Sequence, residues 1–139
     1  MLRGVVTKVD RLTVVVRGRP APQGSKRLGS GGQLREQSAY LPAWRAAVKQ
    51  AVYEQYRLLG VEPADLPLLR GPVAFGCTFW LPLGRRVDTP PDLDKLLRST
   101  WDALTSARVW EDDGRVVEID WLAKVADETT GADLTVRPA

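Results

Sequence analysis

The side chains best suited to chemistry in this chain are carboxylates, and they come in two tight groups. Asp92 and Asp94 lie in Pro91-Asp92-Leu93-Asp94-Lys95-Leu96-Leu97-Arg98, and Asp112 and Asp113 follow one helix-length later in Trp110-Glu111-Asp112-Asp113-Gly114. The chain contains no histidine. Oxygen-only ligands suit a hard cation such as Mg²⁺, with Mn²⁺ as its substitute, and argue against zinc or copper. A carboxylate-held Mg²⁺ on a basic protein, here of pI ≈ 9.3, points to hydrolysis of a phosphodiester.

The missing histidines exclude whole mechanisms. No Ser-His-Asp or Cys-His pair and no His-ligated zinc can form, and no serine has a lysine three residues after it. Hydrolysis must rest on carboxylates, lysines or metal-activated water. Each acid also has an ordinary structural role. Asp92 fits the N-cap of a helix, Asp94 favours its dipole, and Asp112-Asp113-Gly114 fits a turn before a strand. Taken singly, those roles suffice; taken together, two acids at a helix start and two in a nearby turn can converge, and their repulsion then calls for a cation.

The elements that must position these acids are legible from periodicity. Leu12-Thr13-Val14-Val15-Val16-Arg17 reads as a strand, with Val5-Val6-Thr7 as the first arm of a hairpin. Residues 18–37 are glycine-rich and basic, and read as a mobile loop. Gly24 and Gly29 have phosphate-loop spacing, but Ser30 stands where the lysine is required, which rejects that motif. Pro42 to Leu59 has apolar residues at helical spacing, from Trp44 through Val48 and Val52 to Tyr56, with Gly60 as its stop.

Val73 to Leu81 reads as a strand, and residues 82–91 as a second basic loop. Leu93 to Ala107 forms a helix with Leu93, Leu96, Leu97, Thr100, Ala103, Leu104 and Ala107 on one arc. Asp94, Lys95, Arg98, Asp102 and Thr105 fall on the other. Val116 to Val125 is a strand with Val117, Ile119, Trp121, Ala123 and Val125 on its buried face, and Leu134-Thr135-Val136 closes the fold. The order β-α-β-α-β-β predicts an α+β domain, one mixed sheet packed with two helices.

Composition agrees. A chain of 139 residues with 44% hydrophobic content fits a single domain spanning 1–139, with 1–11 as an extra strand or a flexible lead. The single Cys77 excludes an internal disulfide and reads as a small buried strand residue. No membrane span or signal peptide is apparent, so a soluble, cytoplasmic protein is expected. Residues 1–60 hold 11 Lys+Arg against 3 Asp+Glu, and residues 61–139 hold 9 against 14. A basic half beside an acidic one fits a protein that grips phosphates with one part and holds metal with the other.

These residues resemble a known family. Asp92-Leu93-Asp94-Lys95-Leu96-Leu97-Arg98, then Trp101-Asp102-Ala103-Leu104, then Trp110-Glu111-Asp112-Asp113-Gly114-Arg115-Val116-Val117 is similar to the RusA family of Holliday junction resolvases. Arg19-Pro20-Ala21-Pro22-Gln23-Gly24-Ser25-Lys26-Arg27 and Trp44-Arg45 extend the likeness, which covers roughly residues 12–136. Lys95 stands where the family usually has asparagine, and Arg98 where it has a lysine.

The resemblance implies a homodimeric, Mg²⁺-dependent endonuclease that nicks four-way DNA junctions in recombination and repair, nucleoid-associated and phage- or prophage-encoded in some settings. Asp92, Asp94 and Asp113 would hold the metal with Asp112 beside them. Arg98, Lys95 and Lys124 would meet the scissile phosphate. Arg17, Arg19, Lys26, Arg27, Arg85 and Arg86 would grip the backbone. Two rivals stand beside it: a junction-binding protein that has lost catalysis through the Lys95 and Arg98 changes, and a phosphohydrolase acting on a small phosphate.

Overall fold

Strand β1 (Leu12–Arg17) alternates buried and exposed residues along its whole length, so that Leu12, Val14 and Val16 face the core. The molecule is a computed structural model that describes residues 9–24, 31–84 and 86–139, with 31–38 as backbone alone. The expected arm Val5-Val6-Thr7 and the loop residues Lys26, Arg27 and Arg85 lie outside the described residues. With β2 (Val73–Pro82), β3 (Val116–Asp127) and β4 (Gly131–Pro138), β1 forms one mixed sheet in the order β1-β4-β2-β3. β4 is antiparallel to both β1 and β2, whereas β2 and β3 are parallel.

Two helices, α1 (Gly31–Leu59) and α2 (Leu93–Ser106), cover the sheet face that carries Phe75, Cys77 and Phe79. Trp44 of α1 meets Phe79 at 6.4 Å between ring centroids, and Trp101 of α2 meets Phe75 edge-on at 5.7 Å. Between the helices, the Trp44 indole N–H donates to Thr100 Oγ1 at 3.1 Å, and the Thr100 hydroxyl donates to the Leu96 carbonyl. The Trp44 N–H and the Thr100 hydroxyl are thus both paired inside the core, as low polarity demands. The α+β class and the order β-α-β-α-β-β are as expected.

Three details differ from expectation, each for a physical reason. Helix α1 begins at Gly31, not Pro42, so residues 31–37 belong to a helix instead of the loop. Leu34, Arg35, Glu36 and Gln37 are strong helix formers, and Pro42 is carried inside the helix. β4 runs well beyond Leu134–Val136, because it lies within the sheet and is paired on both sides. Its close approach to β1 requires Gly131, where a β-carbon would lie 2.0 Å from the Val16 carbonyl oxygen.

The third difference concerns β3. Val117, Ile119, Trp121 and Val125 are exposed, Val117 by 64%. Register shifts between Val73 and Ala74 and between Phe75 and Gly76 break the simple alternation. Trp121 and Val125 stand beside Gly76 and Trp80, on the face away from the helices, while Leu122 and Lys124 stand beside the core residues Cys77 and Phe79. β3 is also an edge strand, so its apolar row has no further strand over it among the described residues.

Candidate active site

The entrance of α2 is built by Asp92. Its carbonyl accepts from the main-chain N–H groups of Lys95 at 3.1 Å and Leu96 at 3.0 Å. Its side chain makes no capping hydrogen bond and instead lies 3.6 Å from Lys95 Nζ. The Asp92 carboxylate is therefore not engaged by the backbone it introduces. Asp94 is exposed in the first turn, where the helix dipole favours negative charge, and Arg98 is exposed one turn on.

The segment leading into the glycine-rich loop is strapped to this part of α2. Gln23 N–H donates to the Lys95 carbonyl at 3.0 Å, and the Ser99 hydroxyl donates to the Ala21 carbonyl at 2.6 Å. Gly24 leaves room for the Lys95 stem, whose Cδ and Cε would lie 3.0 Å from any β-carbon at position 24. The described stretch thus runs to Gly24 against Lys95, the residue after Asp94.

The second acid pair is placed by aromatic packing. Trp110 is fully buried against Phe75 and Trp101, and its indole N–H donates to Thr105 Oγ1 at 2.6 Å. α2 ends in a Schellman-type turn, with Val109 N–H on the Leu104 carbonyl, Arg108 N–H on the Thr105 carbonyl, and Arg108 at a φ of 62°. The chain then delivers Asp112 and a 3₁₀ turn over Asp113–Arg115, directly before β3. Asp112, like Asp92, makes no capping hydrogen bond with its side chain.

Partial burial, reinforced by the charges of Asp112 and Asp102, raises the Asp113 carboxyl above its ordinary pKa. Asp102 lies on the charged arc of α2, one turn after Arg98. Its partner is Arg45 of α1, at 3.1 Å, which also donates to Gln23. Its position on the charged arc of α2 and its place in the family-like Trp101-Asp102-Ala103-Leu104 were the sequence signals for a place near the acids.

Among the described residues, no three histidine, cysteine or acidic side chains gather as a group able to hold a metal. Asp113 feels Asp102, which lies eight residues along α2 from Asp94, a rise of about 12 Å at ~1.5 Å per residue. The helix entrance and the turn, expected to converge on one cation, form no such group among the described residues.

The basic residues gather at the end of the sheet that carries Asp92 and Asp94. β1, β2 and β3 all point toward this end. Arg17 lies over the Trp80 ring at 5.4 Å and Arg19 over Tyr40 at 4.2 Å. Arg86 holds Asp88 through two hydrogen bonds of 3.0 and 2.6 Å. Lys124, expected on a phosphate, has its ammonium on the carbonyls of Thr89 at 2.9 Å and Pro91 at 2.7 Å.

A family model described as endodeoxyribonuclease RusA matches residues 17–137, which span both acid pairs and the basic end of the sheet. No curated protein matches the chain. Among the described residues, no helix is long and apolar enough to cross a membrane.

Proposed function

The chain belongs to the RusA endodeoxyribonuclease family, and on that premise we propose that it is a Mg²⁺-dependent nuclease resolving four-way DNA junctions by paired, symmetric nicks. It would act as a homodimer, in the cytoplasm and on nucleoid DNA. The observation that carries this reading is the pair Asp92 and Asp94 at the entrance of α2. The Asp92 side chain is free of capping duty, and the pair lies inside the matched span.

The donor chemistry fits the cation. Mg²⁺ takes one or two protein carboxylates and completes its shell with water and substrate phosphate. Asp92, Asp94 and Asp113 would hold it, with Asp112 adjacent. When bound, the cation offers positive charge against that developing on the phosphate and eases deprotonation of an attacking water. Arg98 and Lys95 flank the Asp92–Asp94 pair on α2 and would hold the scissile phosphate. Arg98 cannot act as an acid at neutral pH, so its contribution is charge and orientation. Arg17, Arg19 and Arg86, with Lys26, Arg27 and Arg85, would grip the flanking backbone.

Two features support a homodimer. A four-way junction has approximate two-fold symmetry, which a two-fold protein matches with one site per nicked strand. The edge strand β3 also presents Val117, Ile119, Trp121 and Val125 to the outside, a surface that soluble proteins normally cover.

The test is a synthetic four-way junction incubated with the protein in Mg²⁺, in EDTA, and with Asp94→Asn. Paired nicks lost in both of the latter support the proposal. Cleavage that persists in EDTA removes its basis, and tight binding without nicks in Mg²⁺ or Mn²⁺ favours the non-catalytic junction binder.

A further inference from the structure

Pro90 and Pro91, which deliver Asp92, have no main-chain N–H, so neither can donate to the sheet beside them. The segment just upstream closes on itself. The Thr89 hydroxyl donates to the Arg86 carbonyl at 2.7 Å, and Arg86 pairs with Asp88. Lys124 ties this segment to the body of the molecule. Its stem rises from β3 beside Phe79, and its ammonium donates to the carbonyls of Thr89 and Pro91. Pro91 is the residue before Asp92, whose own carbonyl begins α2.

We infer that Lys124 is a positioning residue for the acid pair at the α2 entrance: by clamping the carbonyls of Thr89 and Pro91 it sets where Asp92 and Asp94 stand. This rests on the proposal that Asp92 and Asp94 hold the cation. A lysine free in solvent on an edge strand would have no reason to lie on two main-chain carbonyls. A charged donor makes both hydrogen bonds stronger than a neutral one would. A neutral side chain of similar length leaves both carbonyls without this donor and releases the segment, while arginine retains donors able to span two oxygens.

The variants Lys124→Met and Lys124→Arg test this through three measurements on the full chain. Hydrogen exchange of the amides from residue 86 to 94 should quicken in Lys124→Met by about tenfold or more, the range of a lost local restraint, and return toward wild type in Lys124→Arg. The Mg²⁺ concentration for half-maximal junction nicking should rise about tenfold in Lys124→Met, the effect of losing a group that orients ligands. Junction affinity in EDTA, and its dependence on salt, should stay as in wild type.

Two results would overturn the inference. One is unchanged exchange over residues 86–94. The other is a loss of EDTA affinity with a salt slope shallower by about one, the mark of a direct phosphate contact. Exchange is measured without DNA or metal, so it judges the clamp even if the wild-type protein proves unable to nick. That last outcome would count against the nuclease proposal alone.

Discussion

Trp121 lies directly across Gly76: a β-carbon at position 76 would come within 2.2 Å of the indole ring. The ring is held there by its N–H, which donates to Thr78 Oγ1 at 2.9 Å. The contact locks edge strand β3 against β2 on the uncovered face of the sheet, just beyond the second register shift. Gly76→Ala must therefore displace a tryptophan, and should cost about 1–3 kcal/mol as overpacking does. Urea unfolding measures it. Gly71→Ala is the control, since nothing lies within 4 Å of its added carbon, and it should change stability by less than ~0.5 kcal/mol.

The bond between Trp44 and Thr100 joins the two helices inside the core. Thr100→Val keeps the shape and removes the acceptor, leaving a buried indole N–H unpaired. The expected loss is about 1–3 kcal/mol. Chemical denaturation with Trp fluorescence checks it, and a loss below ~0.5 kcal/mol would show that the N–H finds another partner.

Asp113 gives a pH dependence with a definite sign. Burial, then Asp112 and Asp102, raise its folded pKa, so the folded chain binds this proton more tightly than the unfolded chain does. Ionising Asp113 therefore lowers stability as pH climbs above the ordinary carboxylate value of about 3.9. Relative to wild type, Asp113→Asn should gain stability through that interval and hold the gain at neutral pH. The difference should fade below the interval. Melting temperatures from pH 3 to 7 in EDTA test this, and millimolar Mg²⁺ at pH 7 should narrow the gap by stabilising wild type.

Arg17 and Arg19 are stacked on aromatic rings at the basic end of the sheet. If each neutralises one phosphate, replacing either by alanine should flatten the log-log salt dependence of junction affinity by about 0.9. An unchanged slope would place the DNA elsewhere.

Val117 and Ile119 offer the test of assembly. Placing lysine at either position on the exposed row of β3 should convert a dimer to a monomer in sedimentation and abolish paired nicking. Asp94→Asn should leave the dimer intact. A dimer that survives both lysine variants would move the interface away from β3.

Local chemistry made much of this molecule legible without coordinates. β1 spans Leu12–Arg17 and α2 opens at Leu93 after Asp92, as their periodicity and capping signals require. The acid pairs and their family resemblance were visible too, because they depend on neighbours in sequence. What tertiary structure decided is how distant segments meet. The outer face of β3 follows from its place at the sheet edge and from two bulges, which no alternation of Val117, Ile119 and Trp121 reveals. The binding of Lys124 to the Pro91 carbonyl joins positions 33 residues apart. Periodicity reports which face of an element is apolar; only the partner packed beside it determines whether that face is covered, and what its charged side chains can reach.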